Sequence, residues 1–368
     1  MLGIIFSNIY DSSLGELTSH RTVASVPFGG RYRQIDFVLS DMVNSGINTI
    51  GVITKYNYRS LMDHLGSCQE WDLNRKNGGL FFLPPFISGN TGIYRGKLEA
   101  LNVAMPFLEA CLEDYVVMSD CTTLCNIDYR KVLDFHKKGK FDITVVANRD
   151  HSNNFEGDMI MRAEPDGNVT EIALHYHTDQ STYLGLGMFI MRRLDLIEVV
   201  RECAARGLYY LESDYIQRYF NEKRIRVGLY RFDGVTLRNH SIPSYFRNNM
   251  RLRESEVRNG LFLPEAPIYT KVRDEIRTFY CHNAAALDCI VADGCHIHGT
   301  VEDSVLFRDV TIARNAHVKN SIIMQSCTVG EGARLENVIL DKNVEVSPGT
   351  VLIGSGENPV IIGKGETA

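Results

Sequence analysis

At 368 residues the chain exceeds one ordinary core and points to two domains. Hydrophobic residues make up 44% and charged residues 23%, as in water-soluble globular proteins, and a net charge of −6 argues against nucleic acid as the main partner. Nine cysteines without a CxxC pair or zinc-type spacing read as reduced thiols, so a cytoplasmic protein is expected. The apolar start, Leu2–Phe6, has no basic flank and is too short for a signal or membrane span, so no membrane association is expected.

In chain order, short β-rich runs alternate with helical patterns. Strands are expected at 2–6, 49–54, 115–118, 142–147, 188–191 and 226–230. Helices are expected between them, at 34–45, 97–111, 129–138, 194–206 and 214–221. Such alternation predicts an α/β, Rossmann-like domain with a mostly parallel sheet covered on both faces, spanning residues 1–236. In such sheets ligands bind beyond the carboxyl ends of the strands, so the loops after Phe6, Thr54 and Met118 are where chemistry belongs.

Past Thr236 the character changes. Residues 237–280 read as a polar linker, and from Ile290 small aliphatic residues recur every six positions, as in Ile312 to Val318 and Leu340 to Val346. No helix keeps that period. A hexapeptide left-handed parallel β-helix does, with each short strand turning one aliphatic inward, and it is expected over 281–368. A sandwich of short strands is the alternative. His296, His298 and His317 in the repeats could serve an acyltransferase, but that would leave the large α/β domain unexplained, and solvated turn histidines are the default.

The stretch Val26–Pro27–Phe28–Gly29–Gly30–Arg31–Tyr32–Arg33–Gln34–Ile35–Asp36–Phe37 is followed by Gly66–Ser67–Cys68–Gln69–Glu70–Trp71–Asp72 and, much later, by Pro267–Ile268–Tyr269–Thr270–Lys271–Val272–Arg273–Asp274–Glu275. With these motifs the chain resembles the bacterial glucose-1-phosphate adenylyltransferase family over nearly its whole length. That resemblance implies the conversion of ATP and glucose 1-phosphate to ADP-glucose and pyrophosphate with magnesium, in tetramers controlled by phosphorylated metabolites. Two polyanions must meet in such a reaction, so cations, bare backbone N–H groups and metal-holding carboxylates are needed.

The sequence departs from the family at those places. Where the family has a glycine-rich loop, this chain reads Ser7–Asn8–Ile9–Tyr10–Asp11–Ser12–Ser13, with a β-branched Ile9 that resists positive φ and an Asp11 that would repel a triphosphate. The family's catalytic arginine falls at Ser13, its loop lysine at Val23, its magnesium aspartate at Thr122 and its sugar-phosphate lysine at His175. Asp120 lies two residues early, where only a shifted loop would rescue it, and the second metal aspartate persists as Asp214, expected to cap a helix. Losing one electrostatic stabiliser costs roughly 10²- to 10³-fold in rate, so several losses predict little activity, no catalytic residues and no metal of its own.

Within the family the chain therefore resembles the non-catalytic, regulatory second subunit (the GlgD type). That implies a catalytic subunit as partner, in a heterotetramer, with magnesium serving the partner; self-association and a weakly active nucleotidyltransferase are left open. His20, Arg21, Arg31 and Arg33 are candidates for binding a phosphorylated effector, against a role in surface or interfacial salt bridges. Gln69, Trp71, Gly96 and Asp214 are candidates for a residual nucleotide or sugar pocket.

Overall fold

The computed structural model describes residues 1–8, 11–85, 94–150, 158–174 and 181–368. Its first domain is built on a nine-stranded sheet running Val169–Leu174, Met159–Ala163, Tyr183–Arg192, Tyr115–Asp120, Leu2–Phe6, Thr49–Ile53 and Gly79–Leu83, with Ile143–Asn148 and Val227–Arg231 joined beside Tyr183–Arg192. Leu2–Phe6 lies between two parallel neighbours, Leu2 opposite Thr49 on one side and Val116 on the other. Each of its five residues is buried, as expected of an apolar run covered by helices on both faces. The long strand Tyr183–Arg192 runs antiparallel to Tyr115–Asp120 and to Ile143–Asn148, so the sheet is mixed on this side.

Among the boundaries that differ from the sequence reading, two have clear local reasons. The helix expected at 97–111 is two helices, Lys97–Val103 and Met105–Ala110, because Pro106 supplies no N–H and takes an early position in the second. The polar stretch from 237 is only partly a linker. Leu237–Arg238 pairs with Thr123–Leu124, and helices Ile242–Arg251 and Ser255–Leu261 follow. These helices belong to the first domain, with Tyr245 donating its hydroxyl to the Pro27 carbonyl at 2.6 Å. Their polarity misled because Asn248 and Asn249 are buried yet hydrogen-bonded, Asn248 Nδ2 to the Arg238 carbonyl and Asn249 Oδ1 to the Gly29 N–H.

From Phe279 the chain winds into a left-handed parallel β-helix of three sheets, each of five strands. Ile297, Ile312, Val329 and Val346 stack in register along one sheet with their side chains turned inward, each no more than 3% exposed. The corners fall on residues that tolerate positive φ, such as Asp303, Asn320 and Asn337, one coil apart. One flank of the β-helix joins the first domain: Val305, Phe307, Ile322, Met324 and Ile339 share an apolar cluster with Phe28, Phe37 and Tyr245. A buried ion pair also joins the two domains, Arg21 to both oxygens of Asp341 at 2.8 and 2.7 Å. No helix among the described residues is long and apolar enough to cross a membrane, and all nine cysteines are free.

Candidate functional site

Two places gather charge: the strand ends, where the fold positions chemistry, and the boundary between the domains. At the strand ends, Asp120 closes Tyr115–Asp120 and Lys97 opens the helix Lys97–Val103 opposite it. Lys97 Nζ donates to Asp120 Oδ2 at 2.8 Å and to Glu212 Oε1, and lies 5.7 Å from the centre of the Phe6 ring and 5.1 Å from that of Phe189. Arg238 meets Asp158 with two bonds, at 2.9 and 2.5 Å, in the same pocket as Thr122, Gly187 and His240. Burial, followed by the charges of Arg238 and Lys97, holds the His240 imidazole well below its ordinary range and therefore neutral.

The positions singled out from sequence are placed as follows. Ser13 is half-buried on the 3-10 segment Asp11–Thr18. Val23 is buried in the apolar cluster, its carbonyl accepting from Gln34 Nε2 at 3.0 Å. Thr122 is 1% exposed and lines the strand-end pocket. In place of a bare loop, Asn8 spans to the next strand end, Oδ1 accepting from the Lys55 N–H at 3.0 Å and Nδ2 donating to the Tyr56 carbonyl at 3.1 Å. Ile9 and His175 lie outside the described residues.

The expected residual pocket does not assemble. Trp71 is 1% exposed, its ring N–H directed at Ser40 Oγ, so it cannot stack on a base, and Gln69 is exposed on the short turn beside it. At Gly96 a Cβ would come within 2.3 Å of the Tyr209 carbonyl oxygen, so this glycine serves a close backbone approach. Asp214 turns its carboxylate back onto the N–H groups of Tyr209 and Tyr210, at 2.8 and 2.9 Å, satisfying backbone donors ahead of its helix. Glu212, which the sequence reading passed over, reaches the strand-end pocket beside Asp120 and Asp158.

The domain boundary is different. A cleft there is lined by Arg31, Arg33, Lys271, Arg273, Arg308 and Lys342, together with Tyr32, His64 and Gln325, and no carboxylate among the described residues lines it. The side chains come from four parts of the chain: the β-turn before the helix Gln34–Asn44, the helix Arg59–Leu65, the extended segment at 267–275, and three successive coils of the β-helix. Arg33 is fixed by Ser60, donating to its carbonyl at 2.7 Å and its hydroxyl at 3.0 Å. Lys271 donates to the Asp63 carbonyl at 2.6 Å. Arg308 is 7% exposed, and its Nε has no acceptor among the described residues.

Crowding leaves its mark on these groups. Burial, aided by Arg33 and Arg21, pushes the Lys342 ammonium down to about 6, and burial pushes Arg33 down to about 10. A set of cations disfavoured by its own surroundings is one that an anion would stabilise. Of the residues expected to bind an effector, Arg31 and Arg33 line this cleft. His20 is exposed and outside its lining, and Arg21 is not available to a ligand because Asp341 takes its guanidinium. Lys271, Arg273, Arg308 and Lys342 were not legible as partners, because no local pattern joins positions so far apart.

Behind the cleft, His64 Nε2 meets Asp36 Oδ1 at 2.5 Å, while Asp36 Oδ2 accepts from Thr270 Oγ1 at 2.6 Å and from the Arg33 N–H at 2.9 Å. Ser40 Oγ accepts from the Tyr269 N–H at 2.8 Å. The segment that brings Lys271 and Arg273 to the cleft is thus strapped to the helix Gln34–Asn44.

An α/β sheet joined to a hexapeptide β-helix defines the chain as a protein of nucleotidyl transferase type. The nucleotidyl transferase family matches residues 3–226, and the C-terminal hexapeptide family of GlmU-like proteins matches 276–359. The glycogen biosynthesis protein GlgD of Geobacillus stearothermophilus is 39% identical over 99% of this chain and 96% of its own length, and that of Bacillus subtilis (strain 168) is 34% identical over the same shares. The glucose-1-phosphate adenylyltransferase of Pseudothermotoga lettingae is 30% identical over 86% of this chain and 76% of its own length. The chain belongs to the GlgD and glucose-1-phosphate adenylyltransferase family.

Proposed function

We propose that this chain is a regulatory, catalytically deficient subunit of glucose-1-phosphate adenylyltransferase, acting in glycogen biosynthesis beside a catalytic subunit that binds magnesium and makes ADP-glucose. One observation carries the reading: six basic side chains line the cleft at the domain boundary, whereas Lys97 and Arg238 in the strand-end pocket are each paired with carboxylates. Bringing ATP and glucose 1-phosphate together needs positive charge at the strand ends, and recognising a phosphorylated effector needs it somewhere both domains can sense. The full-length kinship with GlgD proteins supports the assignment to glycogen synthesis. A heterotetramer with the catalytic subunit is the assembly this reading implies.

The test assays the purified chain with ATP, glucose 1-phosphate and magnesium, alone and mixed with a catalytic subunit. The reading expects negligible turnover alone and, in the mixture, an effector response that is lost in Arg31→Ala/Arg33→Ala. Turnover by the lone chain close to that of the mixture would favour the second reading, a weakly active nucleotidyltransferase.

A further inference from the structure

We propose that the Lys97 ammonium is a tethered cation seated where a divalent ion would otherwise meet Asp120 and Glu212, and that it keeps metal from the strand ends. The family's reaction uses magnesium, so the residues present can be tested for fit to that ion. Magnesium takes oxygen ligands in a near-octahedral shell and is usually held by one or two carboxylates. Here the position corresponding to one family aspartate is Thr122, and the other, Asp214, has its carboxylate turned onto two backbone N–H groups. Of the carboxylates in the strand-end pocket, Asp158 is held by Arg238, and Asp120 and Glu212 both face a lysine that is itself 2% exposed. The residues therefore do not fit magnesium while Lys97 stands among them.

Geometry explains why the lysine stays. Lys97 begins its helix directly after Gly96, whose backbone is pinned against Tyr209, and the Leu98 N–H donates to the Tyr209 carbonyl at 3.0 Å. The same Tyr209 segment is held by Asp214, and Glu212 lies between them in sequence. The ammonium is thus delivered from a fixed point onto two acids, with the Phe6 and Phe189 rings beside it. A buried carboxylate needs a partner, and a tethered ammonium supplies one that cannot diffuse away.

The inference deepens the proposed loss of catalysis, but its test uses the lone chain and can fail while the partnership with a catalytic subunit stands. The full-length protein, Lys97→Ala and Lys97→Ala/Asp120→Asn are titrated with Mn2+ alone, followed by the paramagnetic resonance of the free ion. We expect Lys97→Ala to gain one site per chain, at least about tenfold tighter than any Asp120-dependent site of the natural chain, and the double variant to lose it. An Asp120-dependent site of equal strength in the natural chain, or a folded Lys97→Ala that gains none, overturns the proposal.

Thermal melting provides the second measurement. Lys97→Met strands two acids, so its melting temperature should fall, and adding Asp120→Asn should recover part of the loss. Should Lys97→Ala not be obtained folded, the proposal requires Lys97→Met/Asp120→Asn to be obtained folded. A Lys97→Met protein that melts with the natural chain, or a double variant no better than the single, counts against the seated cation.

Discussion

Arg21 and Lys342 sit at the same charged boundary with opposite fates. Arg21 is matched by Asp341, so removing it leaves a carboxylate that is 3% exposed without its bidentate partner. Arg21→Ala should lower stability by about 3–5 kcal/mol, read as a shift of the urea unfolding midpoint. Among the described residues Lys342 has no such match, and burial pushes its ammonium down to about 6 from the ordinary 10.5. Its folded value is depressed, so the folded chain binds fewer protons than the unfolded one between those two values. Stability on this account rises with pH from about 6 to about 10.5 and carries its full penalty below 6.

An anion in the cleft reverses that preference, because it favours the charged amine. Sulfate keeps the same charge across the neutral range and is a clean probe. The rise in melting temperature that sulfate produces should be larger at pH 6 than at pH 8, and Lys342→Met should abolish the difference. Equal rises at the two pH values in the natural chain would contradict the role given to Lys342. Arg31 and Arg33 could be suspected from sequence because they stand two residues apart beside a glycine pair, whereas Lys97 gave no signal. A lysine after a glycine at a helix start looks like any solvated first turn, and only the fold brings Asp120 and Glu212 onto it.

At the scale of elements, the β-helix was the most legible part. Its six-residue recurrence reflects a physical repeat, since each strand buries one aliphatic against the coils above and below. Ile312→Ala, in the middle of such a stack, should cost about 2–5 kcal/mol, measured by chemical denaturation of the full chain. The hairpin Met159–Ala163 and Val169–Leu174 escaped notice because its outer positions are polar and its strands lie at the sheet margin. From sequence, Gly96 suits either a residual nucleotide pocket or a loop-to-helix turn; it stands at the turn into Lys97–Val103, and its constraint, the Tyr209 carbonyl, is more than a hundred residues away. Gly96→Ala should therefore destabilise the α/β domain by about 1–3 kcal/mol, visible in an earlier thermal transition, with no nucleotide present.

Taken whole, the molecule is two domains held by an apolar seam, one buried ion pair and a strap. The strap is residues 267–275, clamped to the helix Gln34–Asn44 through Asp36 and Ser40 and ending in the cleft with Lys271 and Arg273. Behind it stands Trp71, the chain's single tryptophan, with its ring 6.1 Å from that of His64, which itself lines the cleft. The protein consequently carries a native optical probe beside a cleft that side chains of both domains line. Its emission, undiluted by any other indole, should change colour or intensity as sulfate is added and stay constant in Arg31→Ala/Arg33→Ala, so occupancy could be followed without a label.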